Sequence, residues 1–202
     1  MTSKDFVTVH NHIEKIIPLT EVEPTERLPY PSLSSAYEGG YASALCVWDH
    51  HHMSMRLACG KRPQYLKYLV DNVLSYQAGD GYVPNVVHFS DGPIGMSPSF
   101  HAQPFLMQAA LMYVDQTGDL AWAEKQYEPL ESYLGYYETA CRSPRGLFRW
   151  PMVNQGGFDN DVVSFFQPDT VVSCDLSSWL TLEYKAAANL AARLKQPRKQ
   201  AD

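Results

Sequence analysis

Apolar residues recur at helical spacing through most of the chain. After a break at residues 60–63, one face carries Leu66, Leu69, Val70, Val73 and Leu74. Steps of three and four place these side chains on one side of an α-helix. Pro63 suits the first turn of that helix, and the glycine-containing residues 78–81 end it. A preceding helix is predicted over residues 42–59.

Three further helices are predicted downstream. One spans residues 99–117, with Gly118 as its C-cap and Asp119 as the N-cap of the next. That next helix has a continuous apolar face formed by Tyr127, Leu130, Leu134, Tyr137 and Cys141. The last begins at Asp175 as its N-cap, ends near Pro197, and has an apolar face formed by Leu176, Leu180, Ala187, Leu190 and Leu194.

The connectors between these helices alternate between short and long. Short connectors force antiparallel neighbours, so the long loops should share one end of the structure, where binding sites are commonly built. The pattern predicts an all-α fold of (α/α)6-toroid-like helical hairpins, and an α-solenoid remains an alternative. Strand signals are weak, although short strands in the two long loops are compatible with the sequence. Residues 41–202 form this domain, and residues 1–40 are expected to be an irregular arm with at most a short helix near residues 7–17.

Composition narrows the function classes. The 202 residues carry a net charge of -6, which argues against nucleic acid or an anionic membrane as the main partner. No apolar run is long enough to span a bilayer. The four cysteines lie in apolar stretches without a C-x-x-C pair, which favours buried free thiols in a reducing compartment and hence the cytoplasm. Aromatic residues make up 12% of the chain, enough to line a ligand site as well as the core.

Polar and aromatic side chains collect at the predicted long-loop end. The candidates for contact with a ligand are Tyr41, Trp48, Asp49, His101, Gln103, Trp150, Asp159 and Asn160. Glycoside hydrolysis needs two carboxyl groups flanking the scissile bond, and a loop aspartate between aromatic residues could be one of them. Burial against Trp150 or Phe158 would raise the pKa of Asp159 and keep it protonated. The alternative is an ordinary turn, because Asp-Asn after glycine is a common turn former.

An ordered set of short motifs resembles the α/α-toroid glycoside hydrolase clan that contains trehalase, the processing α-glucosidases and mannosylglycerate hydrolase. In that clan the motifs are W-D, Q-P-P, E-S-G-x-D-N and V-D-L. The corresponding strings here are Val47-Trp48-Asp49, Gln103-Pro104, Gly157-Phe158-Asp159-Asn160 and Cys174-Asp175-Leu176. The resemblance covers about residues 36 to 195, and the four motifs are specific together rather than singly.

The resemblance implies roles for particular residues. Asp159 matches the general acid of an inverting α-glycosidase, and Asn160 would hold it in place. Trp48 and Asp49 match residues that line the sugar subsite, and Gln103 matches an amide that contacts substrate. The expected partner is therefore a small carbohydrate, with neither nucleic acid nor membrane bound.

The sequence also departs from the clan. Gln155 stands where a glutamate is usual, His50 follows the tryptophan–aspartate pair where a small residue is usual, and Phe105 replaces the second proline. The clan's general base is a glutamate far beyond the acid, and no comparable motif follows here, since Glu183 lies inside the last predicted helix. We therefore expect an incomplete, half-barrel domain that is inactive or very weak alone. Its exposed helix faces would be covered in a homodimer or by a missing C-terminal half.

No cofactor or metal is expected. Successive residues of a helix point to different faces, so the three histidines at residues 50–52 cannot share one metal ion. The leading interpretation is a glycosidase-like domain acting on or binding α-linked glucosides or related small glycosides. The alternatives are a non-catalytic carbohydrate-binding module and a helical scaffold that binds protein. Whether the domain is an enzyme is left open by the sequence.

Overall fold

The computed structural model describes residues 3–39, 41–92, 94–95, 100–151, 172 and 174–195. The helices in this part of the chain are α1 (Ser3–Thr20), α2 (Val47–Cys59), α3 (Gln64–Leu74), α4 (Leu106–Thr117), α5 (Leu120–Ala140) and α6 (Cys174–Leu194). Two short antiparallel strand pairs accompany them: β1 (Glu21–Val22) with β2 (Ser32–Leu33), and β3 (Ala44–Cys46) with β4 (Val86–His88). The fold is all-α and consistent with a fragment of an α/α toroid, as predicted.

The helices form hairpins with alternating connectors, which confirms the predicted order. Residues 60–63 join α2 to α3, and residues 118–119 join α4 to α5. At the second junction Gly118 adopts a left-handed conformation, and the Asp119 side chain accepts a hydrogen bond from the Trp122 backbone N–H. Helix α4 is central, because it packs against α2, α3, α5 and α6.

Two helices begin later than the sequence predicted because the residues before them pair with distant parts of the backbone. Helix α2 begins at Val47 rather than residue 42, since β3 pairs with β4 in the long loop between α3 and α4. Helix α4 begins at Leu106 rather than residue 99. The Ala102 N–H donates to the Val83 carbonyl at 2.8 Å, which holds the preceding segment extended. Non-local pairing of this kind leaves no periodic signal in the sequence.

The amino-terminal segment is more regular than expected. Residues 1–40 were predicted to form an irregular arm, but α1 has 18 residues and β1 and β2 follow it. The helix is anchored near its carboxyl end, where Ile17 is buried against Leu33 and Leu57. Because most of the helix surface is polar or exposed, the apolar pattern alone understated its length.

The main core lies between α3, α4, α5 and α6. Its largest fully buried side chains include Tyr133 and Tyr137 of α5. A buried polar contact joins α3 to α5: the Trp122 indole N–H donates to Asp71 at 2.8 Å, and Lys67 of α3 forms an ion pair with the same carboxylate. The Asp71 carboxylate of α3 is therefore bonded both within its own helix and by a side chain of α5.

The cysteines divide into two classes. Cys46 and Cys141 are buried free thiols, as predicted. Cys59 and Cys174 are exposed, so the prediction that all four are buried was wrong for these two. Each lies at the end of a helix, where an apolar neighbourhood in sequence does not ensure burial.

Candidate functional site

An aromatic cluster lies where the amino-terminal ends of α2, α4 and α6 meet. We define the aromatic cluster as Trp48, His51, His52, Phe105, Trp150 and Trp179. Trp48 is the second residue of α2, Phe105 directly precedes α4, and Trp179 lies in the second turn of α6. The long-loop ends of three helices thus converge, as the alternating connectors predicted.

The rings of the cluster support one another mainly edge to face. The Trp48 ring centroid lies 4.8 Å from that of Trp179 and 5.6 Å from that of Phe105, at interplanar angles of 79° and 89°. Beneath them, His51 stacks on Phe105 with centroids 4.7 Å apart. Phe105 and His51 are buried, whereas Trp48 and Trp179 are half-buried. The indoles of Trp48 and Trp179 are therefore partly exposed to solvent, and they are supported by buried rings.

Trp150 and Asp175 connect the cluster to the long loop between α5 and α6. The Trp150 indole N–H donates to Asp175 Oδ2 at 3.1 Å, and its ring centroid lies 6.1 Å from that of Trp179. Asp175 was predicted to be the N-cap of the last helix, but that helix begins at Cys174. Asp175 lies instead in the first turn, where the helix dipole favours a negative charge.

Asp49 lies beside the half-buried Trp48 on α2. Burial raises the pKa of the Asp49 carboxyl, whereas a hydrogen bond from the Ser35 hydroxyl and the nearby His52 act to lower it. Ser35 is itself held in place, because its Oγ accepts a hydrogen bond from the Cys46 backbone N–H at 3.0 Å. The structure thus places a half-buried carboxyl group next to an accessible indole.

Gln103 is fixed just before α4. Its side chain is 6% exposed, and its backbone carbonyl accepts a hydrogen bond from the Tyr133 hydroxyl at 2.7 Å. The Tyr137 hydroxyl donates to the carbonyl of the preceding residue, Ala102. Two buried tyrosines of α5 therefore hold the backbone that leads into Phe105 and the cluster.

His101 was a candidate ligand-contacting residue, but the structure places it in the core. Its ring is fully buried among the rings of Tyr133, Tyr136 and Tyr137, and its Nδ1 accepts a hydrogen bond from the Val83 backbone N–H at 3.0 Å. Burial lowers the pKa of His101 to about 3, so the ring is neutral. A fully buried ring has no surface left for a ligand. His101 therefore supports the extended segment before α4 instead.

The remaining candidates differ in how far the structure describes them. Tyr41 is 54% exposed, in the turn before β3. Asp159 and Asn160, the residues matched to the catalytic acid and its neighbour, lie outside the described residues. The described residues nearest to them in sequence are Pro151, after Trp150, and Val172, two residues before Cys174. Trp150 belongs to the aromatic cluster, and Asp175, which follows Cys174, accepts the hydrogen bond from its indole N–H.

Two residues of α6, Trp179 in the cluster and Glu183 behind it along the helix, were missed as candidates from the sequence. Trp179 contacts Trp48, Phe105 and Trp150, although it was not singled out. Its position four residues after Asp175, one helical turn along, was the available signal. Glu183, one turn further, was considered only as a residue inside the last helix.

Glu183 is fully buried and binds the start of α4. Its Oε2 accepts from the Met107 N–H at 3.0 Å, and its Oε1 accepts from the Gln108 N–H at 2.9 Å. The Gln108 side-chain amide adds a bond to Oε1 at 3.1 Å. Burial raises the pKa of Glu183 to about 7, although these three hydrogen bonds act to lower it. A carboxylate from α6 thus satisfies backbone groups of α4 that its own N-cap leaves unpaired.

The three histidines of α2 have separate environments. His50 is fully buried with its Nδ1 3.3 Å from the Ser54 hydroxyl, and His51 is buried against Phe105. Burial lowers the pKa of each ring to about 3. His52 is exposed, with its Nδ1 2.7 Å from the Trp48 carbonyl. Among the described residues, no group of three or more histidine, cysteine or acidic side chains is arranged to hold a metal ion.

A family model described as the mannosylglycerate hydrolase MGH1-like glycoside hydrolase domain matches residues 42–200. A search of curated proteins finds no match. Within the described part of the chain, none of the helices has the length and apolar character needed to cross a membrane.

Proposed function

The chain belongs to the family of mannosylglycerate hydrolase MGH1-like glycoside hydrolase domains, and on that premise we propose that the aromatic cluster binds an α-linked glucoside or a related small glycoside. The main support for this proposal is that Trp48, Trp179 and Asp49 lie together at one end of the helical hairpins. Sugar rings present apolar faces and hydroxyl edges. Half-buried indoles suit the faces, and a neighbouring carboxylate suits the hydroxyls.

The proposed chemistry follows the family pattern. Asp159 would act as the general acid that protonates the leaving oxygen, with inversion at the anomeric carbon. This assignment is supported by the described ends of its loop, because Trp150 and Asp175 are hydrogen-bonded to each other beside Trp179. Inversion also needs a second carboxylate that activates water.

Substitution of one indole tests the binding proposal. Isothermal titration with maltose and trehalose should show that Trp48→Leu weakens binding by roughly tenfold or more, as expected for an aromatic anchor. Trp122→Leu is the matched control, because this indole bonds Asp71 between α3 and α5 rather than joining the cluster. Equal affinities in the wild type and Trp48→Leu, with both folded by circular dichroism, would overturn the proposal.

A second candidate, binding without hydrolysis, is favoured by the environment of Glu183. It is the only glutamate after Asp159 in these 202 residues. Its carboxylate is fully buried and accepts three hydrogen bonds from α4, so it is not available to activate water. We therefore propose that the 202-residue chain by itself binds glycosides with little or no turnover.

Release of glucose from the same two disaccharides separates the two candidates. The expected result is binding that survives Asp159→Asn, with no measurable glucose release from either protein. Glucose release by the wild-type chain that Asp159→Asn abolishes would instead show that these residues complete a catalytic site.

A further inference from the structure

We propose that Glu183 is a positioning residue that fixes α6 against the start of α4 and so sets the relative placement of Trp179 and Phe105. The inference rests on the proposed function in one respect, that the aromatic cluster is the saccharide site. It adds that the charge of one buried carboxyl group, outside the cluster itself, affects the saccharide affinity of the site.

The connection follows from the hydrogen bonds. Helix α4 lacks a side-chain cap of its own, since Phe105 at the N-cap position offers no acceptor. The two carboxylate oxygens of Glu183 accept hydrogen bonds from the backbone N–H groups of Met107 and Gln108. A negative charge is also favoured at this end of a helix, because the helix dipole is positive there. One side chain of α6 therefore satisfies two consecutive amides of α4.

The same two helix segments carry the cluster. Trp179 precedes Glu183 by one turn of α6, and Phe105 precedes Met107 by two residues. The ring centroids of Trp179 and Phe105 lie 5.3 Å apart. A shift of α6 along α4 would therefore change the spacing of Trp179, Phe105 and Trp48 together.

Protonation of Glu183 would weaken this attachment. A carboxylic acid carries a hydrogen on one oxygen, and that oxygen no longer accepts freely from an amide N–H. With the pKa of Glu183 raised to about 7, the change falls in the neutral range. The titratable groups of α5 that act on Glu183 are Tyr133 and Tyr137, and burial raises the pKa of both well above the usual value, so both stay neutral.

Groups on the other neighbouring helices do not compete in this range. Helix α4 presents the uncharged amide of Gln108 to the carboxylate. On α2, His51 packs on Phe105 and is neutral, because burial lowers its pKa to about 3. His52 lies beside Trp48 and is common to every variant used below.

The first test is the pH profile of saccharide affinity. Maltose affinity, measured by titration calorimetry from about pH 6 to about pH 8.5, should fall on acidification by roughly tenfold, within the range of typical couplings between sites. Glu183→Gln mimics the protonated acid, so its affinity should match the low-pH wild type and stay flat. A wild-type profile that Glu183→Gln leaves unchanged would overturn the proposal.

Gln108→Met supplies a test that does not require changing Glu183. It removes the side-chain bond to Glu183 and leaves both backbone bonds in place. A donor that favours the charged carboxylate is then lost, so the midpoint of the profile should move to higher pH. If Glu183 had a purely structural role, Gln108→Met would leave the midpoint of the pH profile of affinity unchanged. That result would refute the proposal even if Glu183→Gln fails to fold.

Tryptophan fluorescence without saccharide separates this inference from the proposed function. Wild-type emission should change over the same pH range, and the part of the change due to Glu183 should be absent in Glu183→Gln. If emission behaves in this way while no saccharide binds, the proposed function fails and the positioning role stands. If saccharide binds but emission and affinity are insensitive to Glu183→Gln, the positioning role fails alone.

Discussion

Three histidines that are buried in the neutral form should make the protein sensitive to mild acid. Burial lowers the pKa of His50, His51 and His101 to about 3 from the usual value of 6.5. A histidine with a depressed folded pKa contributes stability that is present above its unfolded pKa and lost as the pH falls towards its folded pKa. In this window the three histidines bind protons in the unfolded chain but not in the folded chain.

The magnitude follows from the size of the window. Lowering the pH from about 7 to about 5 costs about 2 kcal/mol for each of the three histidines, or about 6 kcal/mol together. Glu183 acts in the opposite direction: its folded pKa of about 7 exceeds the usual value of 4.5, so protonation of this group on acidification stabilises the folded form. Protonation of Glu183 raises the free energy of unfolding by about 2 kcal/mol over the same pH range. The net decrease in the free energy of unfolding is therefore about 4 kcal/mol, compared with a typical total of about 5–15 kcal/mol.

Urea denaturation followed by far-ultraviolet circular dichroism measures this loss. The free energy of unfolding should be about 4 kcal/mol lower at pH 5 than at pH 7. His51→Phe removes one protonation site while preserving the stack on Phe105, so its loss should be smaller by about 2 kcal/mol. An unfolding free energy that does not fall between these pH values, or a His51→Phe variant with the full wild-type loss, would refute the reasoning.

Two further predictions concern the scaffold. Gly81→Ala should destabilise the fold by at least about 2 kcal/mol, because Gly81 has φ +89° and an added Cβ would lie 2.1 Å from the Ser132 carbonyl oxygen. Gly79→Ala is the control and should change the urea midpoint little, because there is open space around Gly79. Equal effects of the two substitutions would contradict the argument. Trp122→Phe should lower the unfolding free energy by about 1–3 kcal/mol, since the indole N–H bonds the buried Asp71, and an unchanged midpoint would count against that bond.

Local turn chemistry made part of the fold predictable. Gly118 and Asp119 end one helix and begin the next as expected, because a left-handed glycine and an aspartate cap act within a few residues of themselves. The starts of α2 and α4 were misplaced, since strand pairing with distant residues decides them. The helix at residues 3–20 was understated because only its carboxyl end is anchored in a core.

Part of the site was predictable, because some aromatic residues also lie at the predicted long-loop end of the helices. Trp48 and Trp150 lie in the aromatic cluster, which the sequence could suggest from their places at the long-loop end. His101 was misjudged, because a polar ring before a helix gives no sign of the tyrosines that enclose it. Trp179 and Glu183 lie within a helix, and their importance depends on which face of α6 meets α4. That relation is set by tertiary packing.

The most direct test of saccharide binding at the aromatic cluster is the indole region of a ¹H–¹⁵N spectrum during titration with maltose. The chain has four tryptophans, so four indole N–H signals are expected. Signals of Trp48, Trp150 and Trp179 should shift with one common dissociation constant, while that of Trp122 stays in place. Saturating maltose that moves none of the three, or that moves only Trp122, would contradict the account.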